Sequence, residues 1–289
     1  MYEIHVFRRS GAILAESLVW DPQLRSMRWC DISTGQLVRS AINGPASGER
    51  DERLTLEAPL PSFHPAADGF VVSLGARVVL VDGAGRETRE LAAIEHAHSG
   101  MRLNEGKVDP AGRWITGSMD LTREQADGAF YSVTDDGARV LYGGIGTANG
   151  LEWSLDGKRV YFTDTSVSSI YSGSYTRSGE IKDVSAFHHG APHDGLTIDL
   201  DGCLWSAEYG NGRVVRYDPM GRELLSVDLP VPNVTSVAFG GDGLSTLFVA
   251  SARENLSERQ LQQHPLSGAI FAIDTPVQGR LAAVYGAGR

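Results

Sequence analysis

Four polar residues recur in phase along this chain. They are Glu16 in Leu14-Ala-Glu-Ser-Leu-Val-Trp20, Asn104 in Met101-Arg-Leu-Asn-Glu-Gly-Lys107, Asn149 in Ala148-Asn-Gly-Leu-Glu-Trp153 and Asp194 in His193-Asp-Gly-Leu-Thr-Ile198. Arg102 accompanies Asn104. Asn-Gly and Asp-Gly are ordinary turn pairs when met singly. Here each polar residue stands 5 to 7 positions before an Asp of a repeated turn, and each is followed by an apolar run. Two carboxylates and an amide oxygen make a hard, oxygen-only donor set that suits Ca²⁺, Mg²⁺ or Mn²⁺.

Other chemistries lack their residues. There is no G-x-S-x-G elbow, no H-E-x-x-H and no G-x-x-x-x-G-K-[ST]. Gly144-Ile-Gly-Thr-Ala-Asn-Gly150 is not a dinucleotide loop, because Asn149 takes the place of the third glycine and a strand pattern follows. His96 with His98, and His188 with His189 and His193, have no carboxylate or cysteine at matching separation, so they are expected to be surface side chains. Cys30 and Cys203 lie far apart in apolar runs and read as buried thiols.

The elements that must position these residues are strands. Short runs such as Gly69-Phe-Val-Val-Ser-Leu-Gly75 and Arg77-Val-Val-Leu-Val-Asp-Gly83 are bounded by glycine and Asp-Gly pairs, and helical periodicity is scarce. The turn Asp recurs at 21, 68, 109, 156, 201 and 242, with spacings of 47, 41, 47, 45 and 41. A period of about 44 residues is that of a four-stranded propeller blade. The chain is therefore read as all-β, a six-bladed β-propeller, with residues 1–289 forming a single domain. In such a fold equivalent positions of successive blades converge on the axis, where oxygen ligands can meet. Asn255–Pro265 reads as a short helix capped by Ser257, inserted between two strands of the last blade, and 44–53 reads as a surface loop.

Composition narrows the function classes. The 289 residues carry 26 Lys and Arg against 36 Asp and Glu, a net charge of −10, with no basic run. Nucleic acid and anionic membrane are excluded as main partners, since both need clustered cations. No apolar run reaches spanning length and the first residues lack a secretory apolar core, so a cytoplasmic location is expected.

At these residues the chain resembles the regucalcin/gluconolactonase family of sugar lactone hydrolases. The matching stretches are Ala15-Glu-Ser-Leu-Val-Trp20 with Cys30-Asp-Ile32, Arg102-Leu-Asn-Glu-Gly-Lys-Val-Asp-Pro-Ala-Gly-Arg113, Asn149-Gly-Leu-Glu-Trp-Ser154, Asp194-Gly-Leu-Thr-Ile-Asp199 and Gly212-Arg-Val-Val-Arg-Tyr-Asp-Pro219. The resemblance implies a six-bladed propeller holding one divalent metal ion (Ca²⁺, Zn²⁺, Mn²⁺, Mg²⁺ or Fe²⁺) through Glu16, Asn149 and Asp194. It also implies a sugar lactone as substrate, with Arg102 and Asn104 binding its oxygens and Asp194 as general base. Ala15, Leu18 and His193 stand where the family usually has Gly, Pro and Pro. Thr122 stands where some animal members carry a substrate-contacting Glu, with Asp120 or Glu124 as alternative acceptors. A metal-dependent esterase or phosphotriesterase on the same site, and a metal-binding propeller without activity, are the rival readings.

Overall fold

The computed structural model describes residues 2–122 and 125–287. Its strands are β1 (Ile4–Arg8), then β2 (Ala15–Asp21), β3 (Ser26–Asp31), β4 (Gln36–Ala41) and β5 (Glu52–Thr55). They continue as β6 (Ser62–Pro65), β7 (Phe70–Leu74), β8 (Arg77–Val81) and β9 (Glu87–Ala93), then β10 (Met101–Val108), β11 (Trp114–Asp120), β12 (Gly128–Thr134) and β13 (Gly137–Ile145). Next come β14 (Ala148–Trp153), β15 (Arg159–Asp164), β16 (Ser169–Tyr175) and β17 (Ile181–His189), then β18 (His193–Ile198), β19 (Leu204–Glu208), β20 (Arg213–Tyr217) and β21 (Glu223–Asp228). The last are β22 (Val234–Gly240), β23 (Thr246–Ser251) and β24 (Ile270–Asp274).

Six antiparallel four-stranded sheets result, the blades of a six-bladed β-propeller. Five blades use consecutive strands, and the sixth has the order β1-β24-β23-β22. β1 joins it in antiparallel register, Ile4 opposite Ile273 and Val6 opposite Phe271, so the N-terminal strand completes a sheet begun near the C-terminus. Five of the six repeat Asp residues fall between the first and second strands of their blades, and Asp21 is the last residue of the first strand, β2. The buried turn carboxylate of the blade β18–β21 is Asp199, however, not Asp201: Asp199 Oδ1 accepts from the Asp201 and Cys203 amides at 3.0 Å each, just as Asp109 Oδ1 accepts from Ala111 and Arg113 at 2.9 Å.

The blades β6–β9, β10–β13 and β14–β17 make one compact unit. Its core lies between facing sheets, where Trp114 and Leu103 pack with Val71 and Val78, and Trp153 with Ile115 and Phe162. Phe130 meets Phe162 edge to face at 5.2 Å, which locks two of these blades together. The remaining three blades make the other unit. There Trp20 stacks on Phe248 at 6.0 Å and Trp205 meets Phe239 at 5.9 Å. Arg8, 1% exposed, pairs through Nε with Asp51 at 3.0 Å and donates to the Phe7 and Gly44 carbonyls. The segment 44–53 is thus only partly a surface loop: it lends a buried carboxylate to β1, and its last two residues enter β5.

The helix α1 (Glu258–Gln263) lies between β23 and β24, with a capping box between Ser257 and Gln260. Both cysteines are buried, as their apolar runs predict. Among the described residues no helix is long and apolar enough to cross a membrane.

Candidate functional site

Glu16, Asn149 and Asp194 each occupy the second position of the first strand of their blades, and Asn104 the fourth of β10. Local backbone irregularity accompanies three of them, Glu16, Asn149 and Asn104. β2 shifts register on β3 between Glu16 and Val19, with Ser17 at φ 53°, and β14 shifts on β15 between Asn149 and Leu151, around Gly150 at φ 27°. β10 shifts on β11 between Leu103 and Gly106, beside Asn104. A bulge turns a side chain that simple alternation would pair across the ladder, and bulges collect at functional ends of strands.

In the unit that holds Glu16 and Asp194, β22 braces both. Thr235 Oγ1 donates to the Ala15 carbonyl at 2.6 Å, and the Leu18 amide donates to Ser236 Oγ at 3.1 Å, so Glu16 sits between two pinned neighbours. Glu16 Oε2 accepts from the Ser17 amide at 3.2 Å. Asp194 is 5% exposed, and Gly195 after it has no room for a side chain: a Cβ would lie 2.8 Å from the Thr235 carbonyl oxygen. The backbone on either side of Glu16 and just after Asp194 therefore packs on Thr235 and Ser236.

The other unit brings Arg102, Asn104 and Asn149 into one hydrogen-bonded row. Arg102 Nη1 donates to Asn104 Oδ1 at 2.6 Å and to the Leu103 carbonyl at 2.8 Å. Asn104 Nδ2 donates to Asn149 Oδ1 at 2.7 Å and to the Ala148 carbonyl at 3.0 Å. Asn149 Nδ2 donates to Thr165 Oγ1 at 2.9 Å. Both asparagines are buried, and Arg102 is half-buried. Thr165 is the member of this row that the sequence did not signal, because its link to Asn149 joins a turn after β15 to the start of β14.

Three residues further along the same strands lies a charged layer. Lys107 Nζ is 3.2 Å from Glu152 Oε2. Burial pushes the Glu105 carboxyl up from its ordinary value, opposed by Lys107. His64, 2% exposed on the adjacent strand β6, is pushed down to about 3 by burial and then by Lys107.

Thr122 is exposed, and its hydroxyl and amide both donate to Asp120 Oδ1, at 2.7 and 2.8 Å. Asp120 Oδ2 accepts from the Gln125 amide at 3.1 Å, and these bonds, the Thr122 hydroxyl first, hold its carboxyl at about 2. Asp120 is 0% exposed and committed to its own loop, which argues against it as a substitute acceptor. Glu124 lies outside the described residues. His98 faces Asp120 Oδ1 through Nε2 at 3.6 Å and accepts from the Gly100 amide through Nδ1 at 3.1 Å. Both nitrogens of the His96 ring are buried with no hydrogen-bond partner among the described residues. These two histidines are thus half-buried rather than free on the surface, because their loop folds over Thr122: a Cβ on Gly100 would lie 2.9 Å from Thr122 Cγ2. His193 is fully buried and His188 packs edge to face on it at 5.5 Å, while His189 is exposed and meets Ser169 Oγ at 2.8 Å.

The molecule is a six-bladed β-propeller in which Glu16 and Asn149 each stand near the start of a blade's first strand, next to a backbone bulge. The model of the SMP-30/Gluconolactonase/LRE-like region matches residues 14–253, and the chain belongs to that family. It is 32% identical to regucalcin of Sus scrofa and 33% identical to a 6-deoxy-6-sulfogluconolactonase of Pseudomonas putida, over 94% of both chains in each case. Among solved structures it is similar to a regucalcin of Agrobacterium tumefaciens, described as a calcium-binding protein, with TM-score 0.91 and 28% identity over 98% of this chain and 97% of that one.

Proposed function

We propose that this chain is a divalent-metal-dependent lactonase that hydrolyses sugar lactones to the corresponding sugar acids. The observation that carries the reading is the row Arg102–Asn104–Asn149, in which three side chains able to address a polyhydroxylated ligand are held by one another in fixed orientations. Family membership and the lactonase among its relatives support the reaction class. The calcium-binding relative supports a resident cation.

Glu16, Asn149 and Asp194 are the proposed ligands. They fit a hard cation by donor chemistry, since all three offer oxygen and the set carries two negative charges. Among the described residues no three His, Cys, Asp or Glu side chains gather as an alternative centre. When bound, the ion supplies Lewis-acid polarisation of the lactone carbonyl. The chain's own residues do the rest. Arg102 donates to substrate oxygens, and Asn104, whose amide is fixed by Arg102 and Ala148, sets the wall beside them. Asp194 takes a proton from the attacking water as the water oxygen joins the carbonyl carbon. The ring C–O bond then breaks, and the leaving oxygen takes up a proton to become a hydroxyl. Thr122 in place of a carboxylate leaves a wall without charge at that point, which favours several five- and six-carbon aldonolactones over strict choice of one.

The test is proton release from a panel of glucono-, arabinono- and xylonolactones and a sulfonated gluconolactone, before and after chelation and on re-addition of Ca²⁺, Mn²⁺ or Zn²⁺. Turnover of lactones that a chelator removes and a metal restores supports the reading. Turnover of aryl esters or phosphotriesters alone would replace it with the esterase reading.

A further inference from the structure

We propose that Thr165 is a positioning residue that holds the amide of Asn149 in its metal-binding orientation, an inference that rests on the assignment of Asn149 as a ligand. Thr165 follows β15 and opens a single 3-10 turn, Thr165–Val167. Its backbone is fixed from two sides. The Thr165 amide donates to the Thr147 carbonyl at 3.2 Å, and Asp164 accepts from the Gly146, Thr147 and Ser166 amides at 3.0, 3.0 and 3.1 Å. The carboxylate thus ties the turn to the segment that enters β14 just before Asn149.

The polarity of the row follows from counting protons. A threonine hydroxyl has one proton. Thr165 spends it on the His193 carbonyl, at 2.6 Å, and a carbonyl can only accept. The hydroxyl therefore meets Asn149, 2.9 Å away, as an acceptor, and the atom of Asn149 that faces it must be the NH₂ group. At the other end the Ala148 carbonyl plays the same part: it takes one proton of Asn104 Nδ2 at 3.0 Å, so Asn104 presents its NH₂ to Asn149 and its oxygen to Arg102. Two backbone carbonyls thus dictate the direction of every bond between Arg102 and His193. Asn149 Oδ1 is left as an oxygen with one lone pair engaged by Asn104 and another available.

Without the Thr165 hydroxyl the Asn149 NH₂ group loses its acceptor, and the amide is held in orientation by the Asn104 bond alone. A rotated amide would present N–H to a cation, which repels it. Groups that orient a metal ligand in this way typically govern about 10- to 100-fold in metal affinity.

The experiment is calorimetric titration of Ca²⁺ into chelator-stripped full-length protein, with thermal denaturation of the metal-free forms as the control for folding. Wild type, Thr165→Val, Thr165→Ser and Asn149→Ala are compared. The expected result is Ca²⁺ affinity about 10- to 100-fold weaker in Thr165→Val and within about 3-fold of wild type in Thr165→Ser, while the metal-free melting temperature of the serine variant stays at the wild-type value. Thr165→Ala replaces the valine variant if the latter does not fold. Equal Ca²⁺ affinity in wild type and Thr165→Val, with Asn149→Ala weakened, overturns the role of Thr165 and leaves the ligand assignment standing. Wild-type affinity in Asn149→Ala, or no Ca²⁺ uptake by wild type, overturns that assignment and this inference with it.

Discussion

Asn104 Nδ2 and Asn149 Oδ1 are 2.7 Å apart, joining the fourth residue of β10 to the second residue of β14. This bond couples a residue proposed to line the substrate with one proposed to bind the metal. Asn104→Ala is expected to weaken both functions, raising KM for aldonolactones and also lowering metal affinity. Asn104→Ser, too short to span to Asn149, is expected to behave like the alanine variant. Metal titration of Asn104→Ala checks this, and unchanged affinity would separate the two roles.

Arg102 donates to the row and is half-buried, so its loss removes a charged donor from a partly dry wall. Removal of such a donor costs about 1 to 3 kcal/mol of transition-state binding, or roughly 5- to 150-fold in kcat/KM. The loss is expected on every aldonolactone that the enzyme turns over. Steady-state kinetics on three lactones measure it, and a loss confined to one of them would make Arg102 a selector rather than a general anchor.

Glu16→Gln and Asp194→Asn each remove one of two negative charges while keeping shape. Both are expected to abolish metal-dependent turnover, and Asn149→Ala to weaken it through loss of a neutral oxygen. Metal content after dialysis, read by emission spectroscopy, checks the assignment; a full complement of metal together with normal turnover in Glu16→Gln contradicts it.

His96 and His98 stand outside the proposed ligand set. The double variant with alanine at both positions is expected to keep its metal content and most of its turnover. Loss of the metal in that variant would move the centre to the loop that folds over Thr122.

His64 titrates at about 3 in the folded chain because it is buried, against about 6.5 for an unperturbed imidazole. The unfolded chain therefore binds the proton first. The stability associated with a neutral His64 is complete above about pH 6.5 and is lost as pH falls from there toward 3. Between about pH 7 and about pH 5.5 this one group is expected to cost the wild type about 1 kcal/mol more than it costs His64→Gln. Urea denaturation at the two pH values measures the difference, and equal losses would show that His64 is protonated without penalty.

Much of the fold was legible because blades repeat. One turn Asp at a period of about 44 residues located the connection between the first two strands of all six sheets. The phase of Glu16, Asn149 and Asp194 was legible for the same reason, since each opens its blade's first strand. The closure of the last blade by β1 was not, because the Ile4–Ile273 pairing leaves no local mark in either segment. Nor was Thr165, whose partners Asn149 and His193 lie 16 and 28 positions away. Asp120 is offered by the sequence as an alternative acceptor because its charge is visible there, while the Thr122 and Gln125 amides that donate to it are not. His96 and His98 lacked the ligand spacing of a metal site, and that said nothing of the loop that half-buries them.

The most direct test of metal-dependent lactone hydrolysis is initial-rate proton release from gluconolactone, measured on wild type and Asp194→Asn before chelation, after it, and after metal is restored. Wild-type turnover is expected to disappear with the chelator and return with a divalent ion, with none above background for Asp194→Asn in any condition. Wild-type turnover that persists undiminished in stripped protein, or an Asp194→Asn variant as fast as wild type, would contradict that expectation.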